Sequence, residues 1–185
     1  MRSVLGWSGR QDRSIKRSAE NVLNRRKEEC LKALQIIEQF KSVARALRDL
    51  STTDFEELKH HLPPTIRKRC EHVAYENERV LETVEALKRG DLDSVGRLMR
   101  ESHQSGRNLY EVSCRELDLM VEIAETVEGV VGCRMTGAGF GGCTVNLIWD
   151  WLVDELAQRV SKRYKEKTGI KPEIYACETP DEAGN

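Results

Sequence analysis

Residues 130–149 read VVGCRMTGAGFGGCTVNLIW, and the fold turns on them. Two apolar runs flank a turn that holds Gly137, Gly139, Gly141 and Gly142. In the first run Val131, Cys133 and Met135 alternate with Gly132, Arg134 and Thr136. In the second, Cys143, Val145, Leu147 and Trp149 alternate with Thr144, Asn146 and Ile148. Period-two alternation on both sides of a turn predicts a β-hairpin. A tight hairpin needs only one or two residues at positive φ, so four glycines ask for a further reason. Glycine lets backbone approach a neighbour closely and lets successive N–H groups converge on an anion. Two readings stand at this point: a phosphate-facing loop, or a long hairpin turn with a bulge.

Known phosphate loops constrain the first reading. Gly137, Gly139 and Gly142 fit GxGxxG, but a dinucleotide fold needs a helix to open there, and here an alternating strand follows. A P-loop ends in Gly-Lys-Ser/Thr, whereas Gly142 is followed by Cys143. The protein-kinase loop is a glycine-rich hairpin, yet neither HRD nor DFG occurs in the chain.

Outward from the hairpin the pattern is helical. Residues 24–40 place Cys30, Leu34 and Ile37 on one stripe. Residues 53–62 open on a capping box, Thr53 with Glu56, and end at Pro63 and Pro64. Residues 66–88 predict a long amphipathic helix with the stripe Ile66, Cys70, Val73, Val80, Val84 and Leu87. Gly90 closes it, and Asp91 caps a helix carrying Leu92, Val95, Leu98 and Met99. A second capping box, Ser113 with Glu116, opens the helix of Leu117, Met120, Val121 and Ala124. After the hairpin, Asp150 starts a helix that Gly169 ends, and residues 172–178 alternate as a last strand. Helices followed by β-β-α-β predict an α+β fold with helices against one face of a mostly antiparallel sheet. Residues 1–21 read as an irregular basic leader, with Arg10, Arg13, Lys16 and Arg17 facing only Asp12 and Glu20. Residues 22–185 form one domain, without linker or internal repeat.

Composition narrows the function classes. The chain has 185 residues and a formal net charge of −1, enough for a real core and too balanced for general nucleic-acid binding. One third of the residues are charged and no long apolar run exists, so no membrane-spanning segment is expected. The six cysteines, at 30, 70, 114, 133, 143 and 177, form no CxxC pair, so a zinc or redox motif is not expected. They read as reduced core thiols of a cytoplasmic protein.

Several strings, in order, resemble one family. MTGAGFGGCTVNL resembles the C-terminal glycine-rich motif of the GHMP small-molecule kinases, and specifically of galactokinases. So do Gly90-Asp91-Leu92, Gly96-Arg97-Leu98-Met99, Glu101-Ser102-His103, Tyr110-Glu111-Val112-Ser113-Cys114 and Glu116-Leu117-Asp118. Asn24, Arg26 and Glu29-Cys30 resemble the helix that opens the family's second half. The resemblance runs from about Val22 to Glu178 and implies a ferredoxin-like antiparallel sheet with a helical insertion. It also implies that Gly137, Ala138, Gly139, Phe140, Gly141 and Gly142 face the phosphates of ATP, with Mg2+ as the accompanying ion. Galactose, or another sugar, would be bound through the family's N-terminal domain, which carries the Ser-rich phosphate loop and the catalytic Asp and Arg. None of those strings occurs in this chain, so no catalytic residue is assigned and the chain alone is expected to be inactive. The partner half could be a separate polypeptide, and an uncovered face would favour self-association. Non-catalytic readings are a nucleotide- or sugar-sensing module and a protein-docking module. Leu23 stands where many galactokinases have a sugar-contacting tyrosine, which keeps a kinase for another sugar open. Thr136, Thr144, Arg134, His103 and Tyr110 read better as structural residues than as site residues.

Overall fold

The computed structural model describes residues 2–7, 13–41, 45–137, 139–140 and 142–177. Four antiparallel strands, β1 (Arg2–Trp7), β2 (Val130–Thr136), β3 (Cys143–Ile148) and β4 (Glu173–Cys177), form one sheet in the order β2-β3-β1-β4. Between β1 and β2 lie α1 (Arg13–Ile37), α2 (Thr52–Leu58), α3 (Pro64–Arg89), α4 (Leu92–Ser105) and α5 (Arg115–Glu125). The helix α6 (Val153–Thr168) connects β3 to β4. The order is therefore β-α-β-β-α-β, the ferredoxin-like arrangement, with the first crossover enlarged to five helices.

The irregular leader expected over residues 1–21 is corrected by this sheet. β1 is a central strand, paired with β3 from Arg2↔Ile148 to Trp7↔Cys143 and with β4 from Ser3↔Cys177 to Trp7↔Glu173. The helix α1 begins at Arg13, not near Asn24. Six residues among glycines and arginines carry too short a pattern to declare a strand. Their pairing is with partners far along the chain, which local periodicity does not register.

Several helix boundaries follow the expected punctuation. Gly90 ends α3 at φ 67°, and the Asp91 side chain accepts the Ser94 N–H at 3.1 Å. Gly169 ends α6 at φ 74°. Both predicted capping boxes are displaced. Ser51 and Asp54 cap α2, while Glu56 instead meets Lys59 at 2.5 Å and Tyr75 at 3.0 Å. At α5 the cap position is Cys114, and the Ser113 hydroxyl donates to Asp118 at 2.5 Å. At α2 the cap thus lies two residues before the expected Thr53, and at α5 it lies one residue after the expected Ser113.

The core has two main bodies. Met120, Ala124, Cys133, Ile148, Leu156 and Tyr164 join α5, the hairpin and α6. Ala33, Ile37, Phe55, Cys70 and Ala74 join α1, α2 and the first half of α3. The predicted α3 stripe holds only over that half: Val80, Val84 and Leu87 are exposed at 53%, 42% and 52%. In the second half the buried position is Ala86. The sheet corrects a simple apolar-in pattern as well. On β3 the buried residues are Thr144, Asn146 and Ile148, while Cys143, Val145 and Leu147 are half-buried. Met135↔Thr144 and Cys133↔Asn146 are cross-strand partners and share the helix-covered face. Among the described residues no helix is long and apolar enough to cross a membrane.

Candidate functional site

The hairpin turn has an outer and an inner side, and its glycines serve different ends. Gly137 is exposed at φ 80°, and a Cβ there would meet nothing within 4 Å. Gly139 is buried at φ 81°, and a Cβ there would lie 1.9 Å from the Val112 carbonyl oxygen. Phe140, at φ 54°, donates its N–H to the same oxygen at 3.2 Å. A Cβ on Gly142 would sit 3.2 Å from the Thr136 oxygen. Ala138 and Gly141, two of the expected phosphate-facing residues, lie outside the described residues. The inner side thus rests on Val112, and the outer side, at Gly137, has room for a ligand group.

Val112 ends a strap built from an unusual backbone. Gly106–Tyr110 form a π-helical turn, Glu111 has φ 55°, and the Val112 N–H donates to Gly106 O at 3.1 Å. Two guanidiniums hold its carbonyls. Arg26 Nε donates to Tyr110 O at 2.5 Å and Nη2 to Glu111 O at 3.4 Å, and Arg69 Nη1 donates to Leu109 O. Glu29 Oε2 lies 2.8 Å from both Arg26 Nη1 and Arg69 Nε, and Arg69 Nη2 lies 2.7 Å from Glu111 Oε2. Arg69 is only 2% exposed. Burial pushes the Glu29 carboxyl up, but Arg69 and Arg26 outweigh it and hold the group below the ordinary carboxylate range. Leu23, Tyr110, Cys114 and Phe140 pack half-buried around Val112, Leu117 and Met135.

The other singled-out residues have structural partners. Arg134 reaches Glu76 at 3.4 Å and Met135 O at 3.1 Å. The Thr144 side chain is fully buried. His103 Nδ1 accepts the Met135 N–H at 3.3 Å, and Nε2 lies 3.3 Å from Asp118 Oδ1 as a charge neighbour outside hydrogen-bond alignment. Burial lowers the His103 pKa, with Asp118 opposing, so the ring that accepts from Met135 is neutral. Sequence spacing offers His103 no aspartate; the packing of α4 and α5 on β2 brings one. Tyr110 stacks on His72 with centroids 4.5 Å apart, and its hydroxyl lies 3.8 Å from Cys30 Sγ.

His72 provides a pH test of this packing. Burial holds its pKa down at about 4, from an ordinary 6.5. The unfolded chain takes the proton at the higher pH, so this group costs stability as pH falls from 6.5 towards about 4. An NMR titration should place the folded-state midpoint near the lower value; a midpoint near the ordinary one would mean the ring is solvated.

Sequence reasoning missed Arg69 and the floor role of Val112. The string Tyr110 to Cys114 was conspicuous, but nothing in it announced contact with a turn some 30 residues later. Two hollows of about 610 and 750 Å3 run along Glu78, Arg79 and Arg97 and along Ser113, Arg115 and Lys167, with no described residue of the glycine turn in their lining. Among the described residues no group of three or more His, Cys, Asp or Glu side chains is placed to hold a metal ion.

Comparison with known proteins agrees with this architecture. Residues 83–166 match the family model described as GHMP kinases C terminal. Galactokinase from Bacillus subtilis is 42% identical over 161 residues, covering 86% of this chain and 41% of that protein. Galactokinase from Clostridium beijerinckii is 43% identical over 164 residues, covering 88% and 42%. The chain spans less than half the length of these curated relatives. The crystal structure of Lactococcus lactis galactokinase complexed with galactose superposes with a TM-score of 0.84 at 31% identity, covering 95% of this chain and 44% of that one. L. major mevalonate kinase in complex with R-mevalonate shares the fold, with a TM-score of 0.55 at 22% identity over 95% of this chain and 41% of that one.

Proposed function

Starting from a chain that carries a galactokinase-like GHMP kinase C-terminal domain, we propose that it works as the C-terminal half of a sugar kinase. The reaction is transfer of the ATP γ-phosphoryl to the anomeric hydroxyl of galactose. The observation that carries this reading is the outer side of the turn. There Gly137 leaves the space of a Cβ empty at positive φ, so backbone can lie against phosphate oxygens. The proposed nucleotide contact is the backbone of Gly137 to Gly142, apart from the Phe140 N–H. The Phe140 N–H is already given to Val112, so it anchors the turn and does not bind phosphate.

Phosphoryl transfer needs positioned phosphates, charge neutralisation and an oriented hydroxyl. In this proposal the chain's own residues serve the first need. No catalytic base is assigned to it, and among the described residues no group of three or more His, Cys, Asp or Glu side chains is placed to hold Mg2+. Leu23 favours a second reading, a kinase for another sugar. It packs against the cluster of Val112, Leu117 and Met135, and an aliphatic side chain offers a sugar hydroxyl no hydrogen bond.

A coupled ADP-release assay tests the proposal. The chain alone, with galactose and Mg-ATP, should show no turnover. Mixed with the separately expressed N-terminal half of Bacillus subtilis galactokinase, it should restore turnover. Turnover by the clean chain alone, or a stable but inactive complex, would overturn the reading; activity only with other hexoses selects the second one.

A further inference from the structure

We infer that Arg26 and Arg69 are positioning residues of the glycine turn, acting through the strap 109–112. Their guanidiniums hold three successive carbonyls, those of Leu109, Tyr110 and Glu111. The next carbonyl, that of Val112, is the one on which the turn sits. It accepts the Phe140 N–H at 3.2 Å and lies where a side chain on Gly139 would have to go. Arg26 comes from α1 and Arg69 from α3, so the helical insertion grips the strap from two helices at once.

The grip is suited to fixing backbone. A guanidinium is a planar fork that bonds several acceptors in one orientation, while an ammonium is a point charge on a flexible stem. Glu29 orients both forks by accepting from Arg26 and from Arg69 at 2.8 Å each. The strap needs outside support, because a π-helical turn followed by a non-glycine residue at φ 55° is an unfavourable backbone. A strap free to relax would move the Val112 oxygen, and with it Gly139 and Phe140. The inference rests on the kinase reading only for its consequence, namely that the turn meets phosphates in a fixed shape. The clamp itself lies wholly within this chain.

Amide hydrogen exchange of the full chain, without nucleotide, tests it. Arg26→Lys keeps the charge beside Glu29 but loses the fork. It should speed exchange of the Phe140 amide by at least about tenfold while α6 amides keep their protection. Glu111→Gln, at a side chain 42% exposed, should survive folding and shift the same amide in the same direction by less. If Arg26→Lys does not fold, Glu111→Gln decides alone. An unchanged Phe140 amide in the folded variants overturns the inference. So does equal loss of protection across the turn and α6, since that reports only global stability. Failure of the complementation assay leaves this result standing, and failure here leaves the assay's outcome intact.

Discussion

Replacing Glu29 by Ala should destabilise the chain by about 3–5 kcal/mol, the usual cost of removing one partner from a buried ion cluster. The carboxylate is 8% exposed, and Arg26 and Arg69 both meet it at 2.8 Å. Its removal leaves two guanidiniums buried with one shared, half-exposed partner, Glu111. In a chain of this size the loss should lower the melting temperature by roughly 6–20 °C. The pH dependence carries the sign of a depressed carboxylate. Glu29 contributes stability that is fully present above its ordinary pKa of 4.5 and is lost as pH falls through its lowered folded value. The gap between wild type and Glu29→Gln should therefore narrow as urea melts are moved to pH values below 4.5. A constant gap across that range, or a cost below about 1 kcal/mol, would show an exposed, screened pair instead.

The second large effect separates two glycines that look alike in the sequence. Gly139→Ala should cost about 3 kcal/mol or more, because the added carbon would meet the Val112 oxygen at 1.9 Å and the residue must hold φ 81°. Gly137→Val should cost only about 1–2 kcal/mol, from φ alone, since no atom lies within 4 Å of the added carbon. Kinetics should rank them the other way. In the complemented enzyme, Gly137→Val should lower kcat/KM for ATP per folded molecule by at least about tenfold, or about 1.4 kcal/mol. Its side chain occupies the outer side, where phosphate oxygens are proposed to lie. Gly139 is a poor probe of nucleotide contact, because its substitution reports packing on Val112 first. Equal ATP kinetics for wild type and Gly137→Val would make the turn a plain hairpin.

These two expectations divide what is legible along the chain from what is not. The hairpin over residues 130–149, the helix that Gly169 ends, the last strand and the Gly90-Asp91 junction all follow from spacing and turn chemistry within a dozen residues. Side-chain direction repeats every two residues in a strand, and glycine alone tolerates the left-handed region cheaply, so local sequence suffices there. β1 is different: Arg2–Trp7 becomes the centre of the sheet only by pairing with strands that begin at Cys143 and Glu173. The buried face of β3 carries Thr144 and Asn146 because cross-strand Met135 and Cys133 lie under the helices, not because those residues are apolar. The end of α3 stays exposed at Val80, Val84 and Leu87 although these residues keep the spacing of an apolar stripe. Glycine spacing alone determined that the turn would need unusual backbone. Which glycine faces out and which rests on Val112 was decided by the strap, and the strap by two arginines and a glutamate on other helices. A contact between residues scores or more positions apart leaves no period in the sequence, because it is set by how whole elements pack.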